Sequence, residues 1–244
     1  MEFAYIQKTS LVDYPNKICS TLFTIGCNFR CPFCYNRNLV IPNEYIKERI
    51  SEEKVLEILE KRKNVVDALC ITGGEPLLHK DIVEFIRKVK SLGIQIKMDT
   101  NGTSPEKVKQ LIDEKLVDYW ATDVKTSKTE YPKATGLNQS FADKVEQSLK
   151  LIIDSGIPHD FRTTIVPGLH NDQIMEDIGV WLNSLGERDR YIIQTFIKPG
   201  GAELVDKSFN PGLFKQSEIQ FLVNIAKPHF KTVEVRDYIY QGEY

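Results

Sequence analysis

Several things are scarce in this sequence, and each scarcity narrows what the chain can be. No apolar run approaches the roughly 20 residues of a bilayer-spanning helix, so no membrane partner is expected. Basic residues show no surplus: 32 Lys and Arg stand against 34 Asp and Glu, for a net charge of −2. That leaves no electrostatic footprint for nucleic acid, and no such partner is expected. The opening residues, M-E-F-A-Y-I-Q-K, lack the basic start and apolar core of a signal peptide, so the expected location is cytoplasmic. Cysteine is sparse, with five residues in no disulfide-like pattern. No internal repeat, low-complexity tract or clear linker divides the 244 residues. The expectation is one domain over 1–244, with its core at about 18–200 and a C-terminal extension at 201–244. At 41% hydrophobic and 27% charged, the composition is that of an ordinary globular protein.

What is present is concentrated in one stretch. Three of the five cysteines lie in C-N-F-R-C-P-F-C-Y-N, Cys27 to Asn36, at CxxxCxxC spacing. The preceding run, residues 18–25, is apolar and β-branched and ends at Gly26, which predicts a buried strand feeding a loop. Thiolates hold iron–sulfur clusters, and a four-iron cluster takes four ligands. Three on one tight loop leave one iron open to a small molecule. Pro32 stiffens the turn, and Phe33 is placed to shield a cluster from water. Structural zinc would want four ligands, and no nearby Cys or His completes a set. Cys19 and Cys70 fall in apolar, strand-like runs and read as buried small residues.

The rest of the chain alternates strand and helix. Predicted strands at 18–25, 67–72, 94–98, 117–122, 159–166 and 190–197 each end in a polar or Gly-rich break, with helices between them. Residues 3–7 read as a short edge strand, 38–50 as an irregular connection, and helix 216–226 with strand 232–236 closes the chain. Ser51 and Ser104 read as helix N-caps, the latter followed by an N1 proline. Such alternation predicts a parallel α/β sheet with right-handed crossovers. Six core strands fall short of the eight of a full barrel.

In a parallel sheet all strand ends share one rim. Gly73 and Gly74 would let backbone approach a ligand without Cβ obstruction, and Glu75 supplies a carboxylate suited to an ammonium group; a plain Gly-Gly turn is the alternative. Arg162 sits in an otherwise apolar strand and needs an anionic partner if buried, whereas Lys125 can equally be surface charge. Asp99, Thr100 and Asp123 offer hard oxygen ligands or simple capping. The four His residues, at 79, 159, 170 and 229, read as structural or surface groups.

CxxxCxxC with an aromatic before the last Cys resembles the signature of radical S-adenosylmethionine (SAM) enzymes. Within them, T-S-L-V-D-Y-P-N-K (9–17) followed by F-T-I-G-C-N-F-R-C-P-F-C-Y-N-R (23–37) is similar to the glycyl-radical-enzyme activases. The likeness is greatest to the activating proteins of anaerobic ribonucleoside-triphosphate reductase, with pyruvate formate-lyase activase more distant. Many of those have C-H-N where this chain has Cys34-Tyr35-Asn36. The resemblance implies an open partial (β/α)6 barrel and a 4Fe–4S cluster on Cys27, Cys31 and Cys34. It places segment 9–17 near the active-site mouth. The implied SAM contacts are Phe33, Gly73, Gly74, Glu75 and Pro76, together with Thr100, Asn101, Lys125, Arg162 and Gln194. The Gly-Gly-Glu-Pro motif would meet the SAM amino group, and Lys125 and Arg162 its pocket and carboxylate. Asp99, Thr100 and Asp123 match a monovalent-cation site. The relative's His after the sixth strand is missing, since this chain reads Q-T-F-I-K at 194–198; Gln194 would take over contact with the nucleoside.

The implied chemistry is one-electron reduction of the sulfonium, giving methionine and a 5′-deoxyadenosyl radical. That radical would take a hydrogen from a glycine Cα of a partner enzyme, here an anaerobic ribonucleotide reductase. Two leftover cysteines hold no second conventional cluster, so flavodoxin or ferredoxin is implied as electron donor. Two other readings compete. One is a radical SAM enzyme acting on a small molecule, 7-carboxy-7-deazaguanine synthase-like, against which segment 9–17 speaks. The other is a non-catalytic iron–sulfur electron carrier or metal-binding module.

Overall fold

The computed structural model describes residues 1–41, 46, 48–198 and 200–236. Its centre is an eight-stranded sheet. In chain order the strands are β2 (Tyr5–Ser10), β3 (Cys19–Thr24), β5 (Ala68–Gly73), β6 (Gln95–Thr100), β7 (Tyr119–Asp123), β8 (His159–Ile165), β9 (Arg190–Thr195) and β10 (Thr232–Arg236). The spatial order is β10-β9-β8-β7-β6-β5-β3-β2. Seven of these strands run parallel, and only β2 is antiparallel to its neighbour, β3. The two edge strands do not pair with each other, so the barrel is open. Two short strands, β1 (Glu2–Phe3) and β4 (Ile50–Ser51), form a separate antiparallel pair.

The six expected core strands are all present. The difference lies at the ends of the chain. The expected edge strand at 3–7 is two strands, with the longer one, β2, running to Ser10. Strand 232–236 joins the same sheet as a seventh parallel member, so the C-terminal extension contributes to the sheet. Within the connection at 38–50 lies the end of a single helical turn, α1 (Arg37–Val40), and the start of β4; residues 42–45 and 47 are outside the described residues.

Seven longer helices follow: α2 (Glu52–Arg62), α3 (Ile82–Ser91), α4 (Pro105–Asp113), the short α5 (Tyr131–Thr135), α6 (Ala142–Ser155), α7 (Asp172–Leu185) and α8 (Gln216–Ala226). Ser51 caps α2 as expected, its side chain accepting from the Lys54 N–H, with Glu52 and Glu53 in the positive first turn. Ser104 does not cap α4. Its hydroxyl turns toward the Leu77 carbonyl at 3.5 Å, and Pro105 alone marks the helix start.

The period of two along each strand sorts the side chains. In β6 and β8, Ile96, Met98, Phe161 and Ile165 join the core beneath the helices, with Phe85, Val108, Leu149 and Ile178. The alternate positions, Lys97, Asp99, Asp160 and Arg162, occupy the other face, inside the barrel. A small second core, Tyr14, Cys19, Ala68, Cys70 and Tyr119, closes the barrel where the strands begin. The Tyr14 and Tyr119 rings lie 5.5 Å apart there. Segment 9–17 is therefore a floor. It was expected at the mouth, but Tyr14 is drawn into the apolar N-terminal end, and only Asp13 reaches the interior, accepting from the Thr21 hydroxyl at 2.6 Å.

Candidate active site

The cysteine loop leaves β3 at Thr24 and is sewn to its neighbours by backbone hydrogen bonds. Gly74 N–H donates to Thr24 O at 3.0 Å and Glu75 N–H to Gly26 O at 2.8 Å. A Cβ on Gly74 would overlap the Gly26 carbonyl. The Gly-Gly pair was expected to admit a ligand; its first task is to admit the backbone of the cysteine loop. On the other side, Arg30 N–H donates to Thr135 O at 2.8 Å. There Gly136, at φ +67°, ends α5 so close to Arg30 that any side chain would collide. Within the loop, the Arg30 guanidinium folds back onto the Cys27 and Phe29 carbonyls, and Cys34 N–H turns onto Cys31 O at 3.0 Å. Residues past the barrel hold it from outside: Val205 N–H donates to Cys34 O at 2.9 Å, and the Arg37 guanidinium bonds Val205 O.

Glu75 is fully buried and ties two strand-end loops together. Its carboxylate accepts from Leu77 N–H at 3.0 Å, the Thr100 hydroxyl at 2.7 Å and Asn101 N–H at 2.6 Å. Burial pushes its pKa up to about 7, against the opposing pull of those donors. Asn101 turns its amide to the cysteine loop, donating to Asn28 Oδ1 at 2.8 Å and lying 3.9 Å from Cys27 Sγ.

Inside the rim, charges alternate. Arg162 bonds Asp123 through Nε at 3.0 Å and Nη2 at 2.9 Å, and reaches Asp99 at 3.4 Å. Lys125 Nζ meets the other Asp123 oxygen at 2.9 Å. Burial would raise the Asp123 pKa, but Arg162 and Lys125 outweigh it and hold the carboxyl well below its usual range. Burial would likewise lower that of Lys125, yet Asp123 keeps it above normal.

These groups line one cavity of about 340 Å³. Its wall includes Cys27, Cys31, Cys34, Phe33, Gly73, Gly74, Glu75, Asp99, Thr100, Asn101, Asp123, Lys125, Arg162 and Gln194. All the expected site residues except Pro76 thus come together. Pro76 is buried in the first turn of a 3-10 helix, where its fixed φ serves the turn and its ring is kept off the wall. The need of Arg162 for an anion is met within the protein. For the expected cation site, the two carboxylates already face Lys97, Lys125 and Arg162, and the Thr100 hydroxyl faces Glu75. A monovalent cation would compete with those groups for the same oxygens.

Sequence reasoning missed several residues. Asn28 and Arg30 order the loop, Phe196 packs edge-on to Phe33 at 6.4 Å, and Val205 clamps the loop from the extension. Lys97 is buried against Asp99 and Cys70. Only Lys97 had a readable signal, a K-x-D alternation with Ile96 and Met98 at the intervening positions.

The model of the radical SAM superfamily matches residues 21–180. The chain belongs to the radical SAM superfamily. It is similar to a protein of Methanocaldococcus jannaschii named a glycyl-radical enzyme activating enzyme, at 33% identity over 93% of this chain and 92% of that one. A Thermococcus kodakarensis protein named a GTP 3′,8-cyclase is 25% identical over 63% of this chain and 49% of its own length. Among solved structures, Streptococcus suis SuiB bound to S-adenosylmethionine superposes with a TM-score of 0.66 at 14% identity, covering 90% of this chain and 51% of that one. That likeness speaks to the fold alone, a parallel α/β sheet of the partial-barrel kind.

As a radical SAM enzyme, the protein uses a 4Fe–4S cluster and SAM. The residues fit the cluster. Three thiols sit on one tightly bonded loop at the cavity wall. Burial pushes the Cys27 thiol up to about 11, Cys31 to about 12, and Cys34 in the same direction. Loading iron therefore releases protons that burial alone would retain.

Proposed function

We propose that this radical SAM enzyme activates a glycyl-radical enzyme, with anaerobic ribonucleoside-triphosphate reductase as partner. The observation that carries the reading is end-to-end similarity, over 93% of the chain, to a protein named as such an activating enzyme. The GTP cyclase likeness reaches only about half of that relative's length, which supports shared cofactor chemistry more than shared substrate.

In this reading Cys27, Cys31 and Cys34, all on the cavity wall, would hold the cluster. With SAM bound, the pair supplies reductive cleavage to methionine and a hydrogen-abstracting 5′-deoxyadenosyl radical. Lys125 and Arg162 receive the carboxylate of SAM, Gly73 and Gly74 present backbone to its amino group, and Gln194 faces the nucleoside. Phe33 and Phe196 keep water from the sulfurs. Glu75 and Asn101 position the cysteine loop against the strand ends and leave contact with substrate to the cavity wall. The sheet is not closed between β2 and β10, and in this reading a glycine-bearing loop of a large partner enters from that side. Cys19 and Cys70 lie in the barrel floor, away from the cysteine loop, which supports an external donor of the flavodoxin or ferredoxin class. Such soluble partners go with a cytoplasmic location.

The test is anaerobic: reconstitute the cluster, reduce it, add SAM and a candidate reductase, and record the paramagnetic resonance spectrum. A glycyl radical on the reductase is expected. SAM cleavage with no radical on any glycyl-radical enzyme offered would refute the activase reading.

A further inference from the structure

Asn101 has both ends of its amide tied. It is buried just past the end of β6. Its Oδ1 accepts from the Thr103 N–H at 3.1 Å and from the Thr103 hydroxyl at 2.7 Å. A backbone N–H can only donate, so it fixes which way the amide faces. The amide nitrogen is thereby turned to the cysteine loop. One of its hydrogens goes to Asn28 Oδ1 at 2.8 Å, and the Asn28 amide returns to the Thr103 hydroxyl at 2.9 Å, closing a ring of three side chains. The second hydrogen is left for Cys27 Sγ, 3.9 Å from the nitrogen.

The same sulfur accepts from the Phe29 N–H at 3.4 Å. Negative charge on Cys27 is otherwise opposed: burial and the Glu75 carboxylate push its thiol up to about 11, and the Phe29 N–H pulls the other way. When the sulfur is a metal-bound thiolate, an N–H aimed at it becomes a charge-assisted donor. Hydrogen bonds to the sulfurs are among the factors that set a cluster's reduction potential. They favour the reduced form, which carries one more negative charge.

We propose that Asn101 is a positioning residue that acts through Cys27: the second hydrogen of its amide bonds the Cys27 sulfur and raises the potential at which the cluster takes up an electron. The inference rests on Cys27 as a cluster ligand. The step it eases is the entry of one electron from the external donor. No proton moves at the Asn101 amide, and no covalent bond there forms or breaks.

The test is a redox titration of the reconstituted protein without SAM, followed by paramagnetic resonance. In Asn101→Ala the ratio of reduced to oxidised cluster at a fixed potential is expected to fall about threefold to tenfold, tenfold being about 59 mV for a one-electron couple. Asn28→Ala opens the same ring but leaves the donor, and is expected to keep the ratio of the unaltered protein. An unchanged ratio in Asn101→Ala would overturn the inference, as would equal falls in both variants, which would assign the effect to the position of the loop. A residue that only touched SAM would also leave this SAM-free ratio unchanged. If Asn101→Ala loads no cluster, Asn101→Asp carries the test. It keeps the size and the bond from the Thr103 N–H but has no hydrogen for the sulfur, and an unchanged ratio there would overturn the inference. Cys27→Ala separates two failures. If it loads a full cluster, the ligand assignment is wrong. If it loads none while Asn101→Ala keeps the ratio, only the role of Asn101 is wrong.

Discussion

The two ends of this barrel use the same residue types to opposite purposes. At the floor, Cys19 and Cys70 sit on strands among Tyr14, Ala68 and Tyr119, buried and locked in by packing. At the rim, Cys27, Cys31 and Cys34 sit on a loop whose shape comes from backbone hydrogen bonds and whose sulfurs face a cavity. Both sets have raised pKa values through burial. Thiol acidity therefore does not separate ligand from filler; what separates them is whether the chain around the sulfur is strand or loop. Charge follows the same division. The rim carries bonded, alternating charges along the cavity, while at the floor Asp160 takes Arg190 and Arg236 on neighbouring strands.

The comparison breaks most visibly at the cysteines. Cys27→Ala, Cys31→Ala or Cys34→Ala is expected to abolish cluster loading, measured as iron and sulfide per chain, whereas Cys19→Ala and Cys70→Ala load normally. A Cys19 variant without a cluster would erase the distinction between floor and rim. Next comes the floor itself. Tyr14→Ala removes a buried ring and is expected to cost about 3 kcal/mol in denaturant unfolding, with loading intact in the folded fraction. Loss of loading without loss of stability would show that segment 9–17 serves the rim after all.

Glu75 gives the rim a pH signature. Its folded pKa, about 7, is raised from 4.5, so between those values the folded state holds a proton that the unfolded state has released. Stability of the cluster-free protein should therefore be greatest below about pH 4.5 as far as this group is concerned, and fall as pH rises toward 7. The loss is on the order of 3 kcal/mol, and Glu75→Gln should flatten that part of the profile. An unchanged slope in the variant would assign it to other groups. The smallest expected effect is at Arg162. Arg162→Ala should weaken SAM binding by about tenfold while the cluster stays loaded, and unchanged affinity would remove it from the site.

Much of this was legible in the chain because the signals are local. Strand and helix periods, the glycine breaks and the CxxxCxxC spacing are each written within a few residues, and they gave the parallel sheet, the rim and all but one of the expected wall residues. What was illegible depends on distant partners. Segment 9–17 read as part of the mouth because nothing in D-Y-P-N says that Tyr14 will pack against Tyr119, over a hundred residues on. Gly74 read as a ligand cradle because Gly26 meets it only after two strands pair. Lys97 drew no notice in the sequence because its partners include Cys70, 27 residues away, and Arg162 through Asp99. The clamp from Val205 onto Cys34 joins residues 171 apart and has no local mark at all.

The most direct test of the account follows the abstracted atom. A candidate reductase is made with deuterium at the Cα of its glycines and given to the reduced, SAM-loaded enzyme under anaerobic conditions, and the 5′-deoxyadenosine product is weighed by mass spectrometry. Deuterium in that product, appearing together with a glycyl radical on the reductase, is the predicted result. Unlabelled 5′-deoxyadenosine formed while the radical appears would contradict the account, because the hydrogen would then have come from somewhere other than the glycine.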